Sequence, residues 1–99
     1  MKPSDLRSDT KKTIRAVISG RVQGVSYRAW TKKRALHHGV VGWVRNRSDR
    51  TVEALFSGSE AAVDALLAEC RRGPLMARVE DIAVTEAEPF TGQGFEILS

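Results

Sequence analysis

From residue 12 the chain alternates. Ile14, Ala16 and Ile18 fall on one side and Thr13, Arg15 and Val17 on the other, which predicts a strand over residues 12–19. The period then changes. Between residues 26 and 38, Tyr27, Trp30, Arg34 and Ala35 recur at helical spacing, the aliphatic stem of Arg34 joining the apolar side, and Gly39 is placed to end that helix with a positive φ. Residues 40–46 and 51–57 read as two more strands. In the second of these, Val52, Ala54 and Phe56 alternate with Thr51, Glu53 and Leu55, and the intervening RSDR suits a hairpin. Ser59 is an N-cap with Glu60 in the first turn behind it, where a negative charge meets the positive end of the helix dipole. Ala62, Val63, Leu66, Leu67 and Cys70 form the stripe of this second helix, and Gly73-Pro74 stops it. Residues 78–86 predict a fourth strand and residues 95–98 a short fifth.

This order is the split βαβ, or ferredoxin-like, α+β pattern: an antiparallel sheet with two helices on one face, plus a short extra C-terminal strand. Residues 1–11 are polar and of mixed charge, and read as a flexible tail before one domain over residues 12–99. The chain ends soon after its last motif without a linker, as expected of a free-standing protein.

Composition narrows the function classes. Of 99 residues, 41% are apolar and 28% charged, which suits a globular protein. No apolar run approaches the ~20 residues of a membrane span. The N-terminal MKPSDLRSDTKK lacks the apolar stretch of a secretory signal. The single cysteine, Cys70, cannot close an internal disulfide, and the expected compartment is the reducing cytoplasm. A net charge of +4 suits either nucleic acid or a small phosphorylated substrate. An RNA-recognition domain of the same element order would carry exposed aromatics on its central strands. TIRAVIS and TVEALFS offer no such pair, which disfavours nucleic acid.

The stretch with chemistry in it is GRVQGVSYR, residues 20–28. It lies where the first strand gives way to a helix. The first four N–H groups of a helix have no internal partner, and the dipole favours an anion beside them. Gly20 and Gly24 let the backbone come close to a ligand, and Arg28 could add a planar fork of donors. The same residues also suit an ordinary turn with a solvated arginine. Asn46, at the end of the second strand, either holds a water and a substrate oxygen or simply starts the hairpin. Adjacent His37 and His38 close a helix, point in different directions, and do not read as metal ligands. Cys70 falls on an apolar stripe and reads as buried and inert.

GRVQGVSYR, GWVRN, TVEALFSG and GPLMARVEDI, taken together at this spacing, closely resemble the acylphosphatase family over residues 13–98. The resemblance implies a phosphate-binding loop in which Arg21, Val22, Gln23, Gly24 and Val25 cradle the anion through backbone amides. It implies that Arg28 and Asn46 are catalytic, Arg28 holding phosphoryl oxygens and Asn46 orienting water. The implied reaction is hydrolysis of a carboxyl–phosphate anhydride to a carboxylate and inorganic phosphate, with no metal and no cofactor. The implied partners are a small-molecule acyl phosphate and inorganic phosphate, as product and inhibitor, for a monomer away from membranes. The alternative is a non-catalytic anion-binding or nucleic-acid-binding module of the same fold. Two positions leave the pattern open. Arg50 stands where the family usually has glycine, so either the hairpin takes another turn type or Asp49 carries a left-handed conformation. Ser26 either caps the first helix or touches the anion.

Overall fold

A computed structural model describes residues 10–98. The elements are β1 (Lys11–Arg21), α1 (Tyr27–His38), β2 (Val41–Asn46), β3 (Val52–Ser59), α2 (Glu60–Cys70), β4 (Arg78–Glu86) and β5 (Phe95–Leu98). Most of the expected N-terminal tail, residues 1–9, lies outside the described residues. Lys11, read as its last residue, instead opens β1 and pairs with Ser59.

The sheet has the order β4-β1-β3-β2-β5. β1 lies between β3 and β4 and β2 lies beside β3, all antiparallel. β5 joins the outer edge of β2 in parallel, with Phe95 opposite Gly42 and Ile97 opposite Val44, so the sheet is mixed. The parallel pairing follows from the connection. β4 and β5 lie on opposite edges of the sheet, and the chain from residue 87 to 94 spans the end between them.

Alternation decides which face is covered. Ile14, Ala16 and Ile18 of β1 stand opposite Phe56, Ala54 and Val52 of β3, and all six are buried. Val44, Ile82 and Phe95 continue that face. Tyr27 and Ala35 of α1 and Val63, Leu66 and Cys70 of α2 complete one core against it. Both helices therefore lie on one side, as the hydrophobic pattern required. The opposite face is polar and held by charge pairs. Glu53, buried there, accepts hydrogen bonds from Arg15 and from Arg45, the latter at 2.7 Å.

The helices are tied to one another as well as to the sheet. The Tyr27 hydroxyl donates to the Cys70 carbonyl at 2.7 Å in the core, a buried bond of about 0.5–1.5 kcal/mol net. The Arg34 guanidinium reaches Glu69 through Nε at 2.7 Å and Nη2 at 3.2 Å. The first helix ends at Gly39, whose φ is 72° as the sequence suggested. The second starts at Ser59, whose Oγ accepts from the Ala62 N–H at 3.2 Å. Among the described residues no helix is long and apolar enough to cross a membrane.

Candidate active site

The turn from β1 into α1 is shaped by two glycines acting in different ways. The β1–β4 register shifts between Ser19 and Gly20, and the strands approach so closely that a Cβ on Gly20 would run into the Arg78 carbonyl. Gly24 has open space around it, but its φ of 74° lies in the left-handed region, where a side chain costs strain. Ser26, just before α1, is left-handed too, at φ 66°.

Ser26 settles one of the open alternatives. Its carbonyl accepts the Trp30 N–H at 3.0 Å, but its side chain makes no capping bond. The first-turn N–H groups of α1 therefore get no partner from their cap, whereas α2 is capped by Ser59. An uncapped helix end with a left-handed serine is an anion-receptive arrangement of backbone donors.

Asn46 arrives at the same place from the sheet. It shares the helix-facing side of β2 with Val44 and stands opposite Val52, which stands opposite Ile18 near the end of β1. The row Ile18–Val52–Asn46 thus runs along the top of the sheet, beneath the β1–α1 turn. A cavity of about 190 Å³ opens there, lined by Val22, Gly24, Ser26, Tyr27, Arg28, Ala29, Asn46 and Ile97. The Oδ1 of Asn46 is buried and has no hydrogen-bond partner among the described residues, a deficit that costs about 1–3 kcal/mol when nothing fills it. Arg28 is half-buried and forms no ion pair among the described residues.

Of the residues expected at the site, the structure gathers Val22, Gly24, Arg28 and Asn46 on one wall system. The others face elsewhere. Arg21 is exposed and, with Gly20, Val22, Gln23 and Arg50, lines a neighbouring depression of about 270 Å³. Val25 is partly buried and packs against the core. The Gln23 Nε2 donates at 2.9 Å to the Arg47 carbonyl and at 2.9 Å to the Thr51 carbonyl, across the β2–β3 hairpin. Sequence reasoning missed Ile97, because nothing in a four-residue strand shows that it will pair in parallel beside β2. It also placed Tyr27 on the core stripe without noting that the same residue lines the cavity.

Arg50 departs from both expectations for the hairpin. It carries the left-handed conformation itself, at φ 74°, and its N–H donates to the Arg47 carbonyl at 3.2 Å. Asp49 instead accepts from the Thr51 N–H at 3.1 Å and the Thr51 hydroxyl at 2.6 Å. Those bonds hold its carboxyl below the usual range. His38 lies 2.9 Å from Glu69, and no group of three or more metal-ligating side chains is gathered among the described residues.

Fold and cavity define a small ferredoxin-like α+β protein with an arginine, an asparagine and a glycine loop converging where β1 meets α1. The family model described as acylphosphatase matches residues 14–97. A curated acylphosphatase from Rhodospirillum rubrum is 56% identical over 84 residues, spanning 85% of this chain and 92% of its own. The solved acylphosphatase of Bacillus subtilis superposes with a TM-score of 0.85 at 34% identity, over 91% of this chain and 100% of that one. That of Coxiella burnetii gives 0.86 at 28% identity, over 89% and 93%. The chain belongs to the acylphosphatase family, and it is a hydrolase of that family.

Proposed function

We propose that the cavity binds the phosphoryl group of an acyl phosphate and directs water onto it without a metal. The observation that carries this reading is the buried, unpartnered Oδ1 of Asn46, on the wall that Arg28 and the uncapped start of α1 also line. An unpartnered acceptor calls for a donor. Arg28 and backbone N–H groups call for an anion. A water beside a phosphate supplies both.

The chemistry needs little more. An acyl phosphate already has a good leaving group, so phosphoryl transfer rests mainly on positioning and electrostatic stabilisation. The loop amides from Arg21 to Val25 and the Arg28 guanidinium hold the phosphoryl oxygens. Asn46 Oδ1 accepts a hydrogen bond from the attacking water and aims it. The water oxygen bonds to phosphorus as the bond from phosphorus to the bridging oxygen breaks, and the carboxylate leaves with that electron pair. Among the described residues no Asp, Glu or His lines the cavity, so the water proton passes to a phosphoryl oxygen of the substrate itself. Inorganic phosphate, the product, fits the same donors and inhibits.

The test is hydrolysis of benzoyl phosphate by the purified protein in excess EDTA. Turnover well above the spontaneous rate, unchanged by EDTA and inhibited by inorganic phosphate, is expected. A folded protein that leaves the spontaneous rate unchanged would refute the reading.

A further inference from the structure

We infer that Gln23 is a positioning residue for Asn46, clamping the β2–β3 hairpin to the anion loop through its side-chain amide. The inference rests on the acyl-phosphate reading of the cavity. Its ground is the pair of bonds from one nitrogen. Gln23 Nε2 donates to the carbonyls of Arg47 and Thr51, both at 2.9 Å. Arg47 directly follows Asn46, and Thr51 directly precedes Val52, the register partner of Asn46. The Arg47 N–H also donates to the Thr51 carbonyl at 2.9 Å. One side chain therefore grips both legs of the hairpin at the point where Asn46 leaves the sheet.

The other end of the clamp is the cavity wall. Val22 and Gly24, on either side of Gln23, both line the cavity, whereas Gln23 does not. The backbone around Gln23 thus faces the site while its side chain reaches across to the hairpin. Beside this link, loop and hairpin flank an open depression lined by Gly20, Arg21, Val22, Gln23 and Arg50. The hairpin is also strained, with Arg50 left-handed at φ 74°. It has reason to relax, and Asn46 would move with it.

The chemistry of the clamp is specific. A primary amide nitrogen carries two hydrogens and can serve two acceptors at once. A glutamate has the same length but, ionised, only acceptors, which would face two carbonyls. Asparagine is a methylene shorter. The donors of the phosphate cradle are the loop amides from Arg21 to Val25 and the Arg28 guanidinium, and the side-chain amide of Gln23, already given to the two hairpin carbonyls, is not one of them. Losing the clamp should therefore degrade the aim of the water more than the grip on phosphate.

The experiment compares wild type, Gln23→Ala and Gln23→Glu on benzoyl phosphate, with thermal unfolding to verify folding. A misplacement of about 1 Å can cost about 10²-fold, and kcat is expected to fall about tenfold or more in both variants. The glutamate variant should be at least as impaired as the alanine one. The inhibition constant for inorganic phosphate should stay within about threefold, because ground-state binding is retained. In an Asn46→Ala background, Gln23→Ala should lower kcat no further, as expected of two residues acting as one unit. Normal kcat in a folded Gln23→Ala would overturn the inference. So would a parallel loss of phosphate inhibition, or unfolding of both variants, since the side chain would then be supporting the cradle or the fold. An inactive, folded wild type would instead sink the acyl-phosphate reading, and this inference with it.

Discussion

Arg28 and Asn46 belong to different layers, one in the first turn of α1 and the other at the end of β2, and they line one cavity. The guanidinium has no carboxylate partner among the described residues, and the amide oxygen has no hydrogen-bond partner. On the proposed reading the open donor serves the anion and the open acceptor serves the water. Arg28→Ala should lower kcat/KM on benzoyl phosphate by about 10²–10³-fold, the usual scale for removing a preorganised charge donor. It should also abolish the rise in Tm that inorganic phosphate is expected to give the wild type. Asn46→Ala should lose about 10²-fold in kcat yet keep that phosphate-induced rise. Equal loss of phosphate stabilisation in both variants would mean that Asn46 binds the anion instead of orienting water.

Much of this arrangement was legible in the chain. The period-two runs located β1 and β3, and the same parity put Asn46 on the helix side of the sheet once β2 was paired with β3. Residues 78–86 and 95–98 became β4 and β5 with those bounds. The motif resemblance brought Arg28 and Asn46 together across sequence. Three features were not legible, each for a physical reason. The parallel docking of β5 depends on the path of residues 87–94, which carry no periodic signal. The left-handed Ser26 and Arg50 go against side-chain preference, so local propensity points away from them. The Gln23 clamp joins a side chain to backbone carbonyls, which have no sequence signature.

Arg50 strains the hairpin. A non-glycine residue at φ 74° bears left-handed strain, and its side chain is exposed and unpaired among the described residues. Arg50→Gly should raise stability by about 0.5–1 kcal/mol, after allowing for the extra freedom glycine gains when unfolded. In a domain of this size that corresponds to a Tm rise of about 2–8 °C. Arg50→Ala, which keeps a Cβ, should give no such rise. If Arg50→Gly lowered Tm, the arginine would be supplying a stabilising contact larger than its strain.

Cys70 should be silent in the native state. Burial pushes its thiol up to about 12, and its side chain is fully buried in the core that Tyr27 shares. Thiolate is therefore scarce and inaccessible at neutral pH. A thiol-reactive chromogenic disulfide at pH 8 should leave the folded protein unmodified and react with one thiol per chain on unfolding in guanidinium. Fast labelling of the native protein would show that α2 opens locally away from α1.

Glu69 sets an acid limit on the helix layer. Hydrogen bonds from Arg34 hold its carboxyl down at about 2, against an ordinary 4.5, with burial opposing and His38 adding to the depression. A depressed carboxylate stabilises the folded state fully above its unfolded pKa. That contribution drains away as pH falls from about 4.5 towards 2 and is gone below both values. Glu53 is also held below its ordinary value, its burial outweighed by the hydrogen bonds from Arg15 and Arg45, so the informative quantity is the difference between wild type and Glu69→Gln. The variant should melt several degrees lower at pH 7, where it lacks the charge that joins Arg34 to α2. The gap should narrow steadily below pH 4.5 and close near pH 2. A gap of constant size across that range would assign the loss to packing of the Glu69 stem, because packing does not titrate.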